Sequence, residues 1–219
     1  MKIDISPYKH FSFDLWLTLI RSNPLFKKQR DILFREYFSI EGSIEKVSEM
    51  IRYYDLLCNK ISEKTGTHLE NFQIYYLILN ALDVNIAEIN VNQLNEFYLA
   101  SEQLFMKYRP ELIFPEIDQM FKKIQSKGKT ISILSNTAFI NGSTLRKLIS
   151  YYELSDFFSF QLYSDEMKIS KPNIQVFKDA FENASQYHTL SKKEMVHIGD
   201  NRNADYYGAL NFGLNAILI

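Results

Sequence analysis

A single cysteine, Cys58, occurs in 219 residues, which excludes an internal disulfide, and no Cys/His spacing resembles a zinc site. Net charge is nearly absent as well. With 25 basic against 26 acidic side chains the formal charge is -1, so no overall field draws the chain to nucleic acid or to an anionic membrane. Only seven glycines are present, and none builds a GxxxxGK loop, a GxGxxG fingerprint or a G-x-S-x-G elbow. No apolar run approaches the length of a membrane span. The amino-terminal stretch FSFDLWLTLI, residues 11–20, is short, contains Asp14, and lacks the basic start and small-residue cleavage site of a secretory signal. A reducing cytoplasm is the compartment this composition suits. Nothing in the sequence fixes an oligomeric state.

What is there is apolar and aromatic. Hydrophobic residues make up 46% and aromatics 15% of the chain, enough for a large core in one domain or two small ones. Lys9 to Phe13 reads as a buried strand whose carboxyl end carries Asp14. A helical section follows. Asn23-Pro24 supplies a cap and a first-turn proline for a helix to about Tyr37; Ser43 caps a second helix that Gly66 ends; Leu69 to Leu82 and Val91 to Tyr108 continue at helical spacing. The aromatic stripe Phe34, Tyr37, Phe38, Tyr53, Tyr54, Phe72, Tyr75 and Tyr76 is expected to pack in a core.

From Pro115 the texture alternates. Helices are predicted at Glu116 to Ser126, Ser143 to Tyr152, Ile174 to Ala184 and Asp205 to Phe212; short strands at Thr130 to Leu134, Phe157 to Leu162, Met195 to Ile198 and Leu214 to Leu218. This is the rhythm of a doubly wound parallel α/β sheet, in which functional groups gather at the carboxyl ends of strands. Polar residues stand at or near those ends: Asp14 with Thr18, Ser135-Asn136-Thr137, Lys171-Pro172, and Gly199-Asp200 through Asp205. At this point Asp14 is either a nucleophile or a polar residue that ends a strand.

Two acids from separate strands, Asp14 and Asp200, repel when packed together, and a magnesium ion resolves that conflict with oxygen ligands. Lys171 adds a point positive charge, and Ser135 with the N–H groups after it offers donors to an oxyanion. Together they suit a phosphoryl group, with Asp14 free to attack phosphorus.

Phe13-Asp14-Leu15-Trp16-Leu17-Thr18-Leu19 resembles the first motif of the haloacid dehalogenase superfamily, whose usual form is DxDxT. Ile133-Leu134-Ser135-Asn136 resembles the second, Lys171-Pro172 the third, and His197-Ile198-Gly199-Asp200 through Asp205 the acidic fourth, in the family's order. The resemblance implies a Rossmann-like α/β core over residues 1–20 and 110–219, and an inserted all-α cap of type 1 over residues 21–109. It implies that Asp14 is the nucleophile and a Mg2+ ligand, that the backbone carbonyl of Trp16 and the Asp200 carboxylate are further ligands, and that Asp205 supports the metal from behind or orients Lys171. Thr18, Ser135, Asn136 and Lys171 would hold the phosphate of a small phosphorylated molecule.

One position departs from that pattern. Phosphatases of the family carry a second aspartate, a general acid and base, where this chain has Trp16. An indole N–H donates a hydrogen bond but does not shuttle protons near neutral pH. Three readings follow: a magnesium-dependent phosphohydrolase for good leaving groups or one that draws its acid from the cap or substrate; a 2-haloacid dehalogenase, a class that resembles this chain in carrying an aromatic there; and a degenerate member that binds a phosphorylated ligand or a partner without turnover. His197 is expected to be a packed core histidine, and His10, His68 and His188 have no acid or serine at a telling spacing. Arg21, Arg30, Arg35 and Arg52 are candidates to reach a substrate anion, and Lys168 is expected to crowd the site or add to its positive charge.

Overall fold

The computed structural model describes residues 3–219; Met1 and Lys2, assigned from sequence to the α/β unit, lie outside the described residues. The strands are β1 His10–Phe13, β2 Ile20–Arg21, β3 Glu111–Leu112, β4 Thr130–Ser135, β5 Phe158–Tyr163, β6 Met195–Gly199 and β7 Asn215–Leu218. The helices are α1 Pro24–Tyr37, α2 Ile44–Thr65, α3 Asn71–Ala81, α4 Val91–Lys107, α5 Ile117–Gln125, α6 Gly142–Tyr151, α7 Ser164–Met167, α8 Ile174–Ser185 and α9 Gly208–Phe212.

Five strands form one parallel sheet in the order β5-β4-β1-β6-β7, so the expected doubly wound α/β fold is present. Strand alternation divides its two faces. Phe11 and Phe13 of β1, Ile131 and Ile133 of β4, and Val196 and Ile198 of β6 point to one face, where Phe121 of α5 and Leu145 and Leu148 of α6 join them. Each such buried aromatic or aliphatic side chain contributes about 1.5–3 kcal/mol. The opposite face carries Leu134 and Met195 under Val176, Phe177 and Ala180 of α8. It also carries a row of buried polar residues, because His10, Ser12, Ser132 and His197 occupy the alternate positions of the same strands.

The helical segment follows its punctuation. Asn23 Oδ1 accepts from Leu25 N–H at 2.9 Å to start α1, Ser43 caps α2, and Gly66, at φ 70°, ends it. Phe34, Phe38, Tyr75 and Phe97 meet in a ring cluster, with Phe34–Phe97 at 5.2 Å and Tyr75–Phe97 at 5.1 Å. Tyr53 departs from the expected packing: it is 54% exposed, on the outer side of α2. This segment is continuous with the sheet's core, since Tyr75 stacks on Phe139 at 5.7 Å and Phe105 meets Trp16 at 6.3 Å.

Three features lie outside the sequence expectation, one of them the short helix α7 after β5. β2 and β3 pair antiparallel, Ile20 opposite Leu112 and Arg21 opposite Glu111, joining the chain where it leaves the sheet for α1 to the chain where it returns. The helix expected from Asp205 starts earlier, as a π-helical turn, Arg202–Tyr207, capped by Asn201, and becomes α-helical only at Gly208. Among the described residues no helix is long and apolar enough to cross a membrane.

Candidate active site

The site assembles where β1, β4 and β6 end together. Asp14 follows β1, and its N–H donates to Ile198 O at 2.8 Å, which pins it against β6. Lys171 arrives on the loop before α8. Its Nζ donates to Asp14 Oδ1 at 2.7 Å, to Leu134 O at 2.7 Å and to Asp205 Oδ1 at 2.6 Å. That ammonium is 2% exposed, so all three of its protons are committed inside the protein. Asn136 holds the lysine's backbone, accepting from Lys171 N–H at 2.8 Å and donating to Lys171 O at 3.0 Å. Asp205 can approach because residue 199 is glycine: a Cβ there would overlap the Asp205 carboxylate.

Oxygens of Asp14, Asp200 and Asp205 lie within 4.8 Å of one another. Three carboxylates against the single Lys171 ammonium leave an excess of negative charge, and the electrostatics register it. Burial, with the Asp205 charge beside it, pushes Asp14 up to about 6 despite Lys171. Burial and then Asp205 raise Asp200 above the usual carboxylate range. Asp205 goes the other way: burial opposes its charge, but Lys171 and the His197 hydrogen bond outweigh that and hold it well below the usual range. Burial would lower Lys171, yet Asp14 and Asp205 raise it. An all-oxygen set with surplus negative charge fits Mg2+.

The remaining expected residues divide. Ser135, at the end of β4, is buried and donates to Asn136 O at 3.2 Å. Thr18 is fully buried, and its Oγ1 finds no hydrogen-bond partner among the described residues, which leaves it available to a ligand. Trp16 is half-buried, its ring edge-on to Phe105 at 6.3 Å. Each of the four arginines has a partner: Arg21 pairs with Glu111 at 2.9 Å, Arg30 with Asp31 at 2.8 Å, Arg35 donates to Gly42 O at 2.9 Å, and Arg52 pairs with Asp55 at 3.1 Å. Lys168 adds no free charge either, because Glu70 takes its ammonium at 2.5 Å.

Other residues of the site were not legible from spacing. His197 is buried as expected, but it also bridges Ser12 Oγ at 2.9 Å to Asp205 Oδ1 at 3.1 Å. His68 does meet a serine, Ser164 Oγ at 3.1 Å, and that hydroxyl accepts from Thr137 N–H at 2.8 Å. Glu63 reaches Asn201, next to Asp200. The alternation of Ser12 and His197 with apolar neighbours was the one available signal.

A family profile described as haloacid dehalogenase-like hydrolase matches residues 8–213. The chain belongs to the haloacid dehalogenase-like hydrolases. It is 23% identical over 202 residues, 84% of each chain, to glyceraldehyde 3-phosphate phosphatase of Methanothermobacter thermautotrophicus. Among solved structures it is similar in fold to YfnB of Bacillus subtilis bound to magnesium, with a TM-score of 0.71 at 17% identity, covering 97% of this chain and 88% of that one. A HAD phosphatase from Thermococcus onnurineus matches with a TM-score of 0.68 at 18% identity, over 96% and 86% of the two chains. In this chain Asp14, Lys171, Asp200 and Asp205 meet at one point of the sheet.

Proposed function

We propose that the chain is a magnesium-dependent phosphohydrolase acting on a small phosphorylated molecule through an Asp14 nucleophile. The observation that carries this is the cluster of Asp14, Asp200 and Asp205 carboxylates around buried Lys171. The phosphatase relative of similar length supports the substrate class. Asp14, Asp200 and the Trp16 carbonyl would hold Mg2+, with Asp205 behind them; bound there, the ion would offset the surplus negative charge and draw electron density from the phosphoryl oxygens.

The protein's own groups then do the following. Asp14 Oδ attacks phosphorus and the substrate's leaving oxygen departs, giving an aspartyl phosphate that water later hydrolyses. Thr18, Ser135, Asn136 and Lys171 hold the phosphoryl oxygens, so that Lys171 trades part of its contact with Asp14 for the substrate. Asp205, kept ionised, retains Lys171 in place during that exchange. Residues 21–109 act as a helical cap that closes over the site and excludes water.

Trp16 sets the limit of this chemistry. Without an acid at that position, an alkoxide leaves about 100-fold to 10,000-fold more slowly than with one, so acyl or aryl phosphates are the favoured substrates. A 2-haloacid dehalogenase is the competing reading, because halide leaves without a proton and Trp16 is aromatic. Asp200 stands against it: in a metal-free site its charge would lie beside Asp14 and an incoming carboxylate. The test is a hydrolysis screen across phosphomonoesters, acyl phosphates and 2-haloacids, each with Mg2+ and with EDTA. Mg2+-dependent phosphate release is expected. Halide release that resists EDTA would establish the dehalogenase instead, and ligand binding without turnover a degenerate member.

A further inference from the structure

One stretch of the helical segment touches both loops that bring charge to the site. Against the Lys171 loop, Gly66 O accepts from Ser170 N–H at 3.0 Å and Asn173 Nδ2 at 3.3 Å, and His68 N–H donates to Lys168 O at 3.3 Å. Thr67 and Ile169 face each other in an antiparallel bridge between these bonds. The fit is close, since a Cβ on Gly66 would lie 2.9 Å from Asn173 Cβ. One turn earlier on α2, Glu63 Oε1 accepts from Asn201 Nδ2 at 2.6 Å.

Asn201 is the hub of the other loop. It follows Asp200, its N–H donates to Asp205 Oδ2 at 3.0 Å, and its Oδ1 accepts from Asn203 N–H at 2.8 Å and Ala204 N–H at 2.9 Å. Those two bonds fix the amide's orientation and leave Nδ2 as a donor that needs an acceptor. Glu63 supplies it. The choice of a carboxylate is costly in isolation, because the Glu63 charge also bears on Asp200, one of the three clustered acids. A divalent cation reverses that sign: with it bound, a fourth acid nearby is attracted rather than repelled.

We propose that Glu63 is a positioning residue: through Asn201 it sets the loop that carries Asp200 and Asp205, so that cation binding and docking of the helical segment favour each other. This rests on the reading of the three aspartates as a magnesium site. Reciprocity then holds, in that whatever affinity the docked segment gives to Mg2+, Mg2+ returns as tighter docking.

The test is calorimetry of Mg2+ binding to the wild-type chain, Glu63→Gln and Glu63→Ala, with hydrogen exchange at the His68 and Ser170 amides, both donors across the seam. Glu63→Ala should weaken Mg2+ about tenfold, the scale for residues behind a metal's ligands. Glu63→Gln, which keeps an acceptor for Asn201, should lose less. Mg2+ should slow exchange at both amides in the wild type and do so less in Glu63→Ala. Unchanged affinity in Glu63→Ala, or amides indifferent to Mg2+ in a wild-type chain that binds it, overturns the inference and leaves the magnesium reading standing. A wild-type chain that binds no Mg2+ overturns both. Wild-type affinity in Glu63→Gln together with lost turnover also overturns it, in favour of proton transfer by Glu63.

Discussion

His197 donates from Nε2 to Asp205 Oδ1 across 3.1 Å, in a ring that is fully buried. Asp205 is held ionised and accepts only, so the ring's one proton sits on Nε2 and Nδ1 accepts from Ser12 Oγ at 2.9 Å. Burial keeps the imidazole neutral, since its pKa is lowered from 6.5. The polar row under α8 thus ends on the carboxylate that holds Lys171.

Removing that ring should therefore cost stability as well as alignment. His197→Leu takes one donor from a buried carboxylate and is expected to lose about 1–3 kcal/mol, with Ser12→Ala losing less. Urea denaturation of the two variants checks this; a His197→Leu chain as stable as the wild type would show that Asp205 does not need the bond.

Mg2+ should raise the melting temperature of the wild-type chain. A ligand at 100 times its Kd stabilises by about 2.7 kcal/mol. Asp200→Asn should melt at or above the wild type without metal, because it removes one of the clustered charges, and should lose the Mg2+ increment. Thermal melts with and without EDTA decide it. An equal increment in Asp200→Asn would take the ion away from this residue.

Asp14→Asn is expected to abolish turnover and leave the fold intact, since the neutral amide also relieves repulsion with Asp205. Intact-protein mass spectrometry after substrate mixing should find a phosphoryl adduct on the wild type and none on the variant. Substantial activity in the folded variant would rule out a covalent route through Asp14.

A second buried histidine makes a pH prediction free of the site. His10 is bonded to Thr130 Oγ1 at 2.7 Å and Ser132 Oγ at 2.8 Å and stacked on Phe160 at 5.3 Å. Burial lowers its pKa from 6.5 to about 3. Between those values the unfolded chain binds a proton that the folded chain refuses, so this stability is present above 6.5 and is lost as pH falls toward 3. The loss approaches about 1.4 kcal/mol per pH unit at most. His10→Gln should flatten the slope of unfolding free energy between pH 7 and 4 relative to the wild type, whatever it costs at pH 7. Parallel slopes would mean that His10 takes up its proton in the fold.

Much of this was legible because it is local. Asn23-Pro24, Ser43 and Gly66 mark helix ends through their own backbone chemistry, and the structure places α1 and α2 at those boundaries. Asp14 and Asp200 were legible as polar residues where apolar strands stop; Lys171 is not at a strand end but on the loop between α7 and α8, eight residues after β5. Non-local pairing was not. β2 and β3 are two residues each, too short for any pattern, and the Ser12–His197 bond depends on strand register. Arg21 and Arg35 read as free cations because Glu111 lies 90 residues away and Gly42 O sits in a turn, whereas Asp31 beside Arg30 and Asp55 at i,i+3 from Arg52 were local partners that spacing could have found.

Trp16→Asp returns the acid that the first motif lacks. An alkoxide needs a proton as it departs, whereas a phenolate or carboxylate needs little help, so the variant should gain more on an alkyl phosphate than on an aryl or acyl phosphate. Packing works against the gain, but not overwhelmingly. Loss of a fully buried aromatic costs about 3–5 kcal/mol, and Trp16 is only half-buried against Phe105, so the cost should fall below that range. Collapse of the site would lower all substrates together, which makes the alkyl-to-aryl ratio within one variant the quantity to measure. A rise in that ratio, in a variant that melts cooperatively and still binds Mg2+, is the expected result. An unchanged ratio under the same conditions would mean that residue 16 does not face the leaving group, and that the acid for turnover comes from the substrate or from the helical segment.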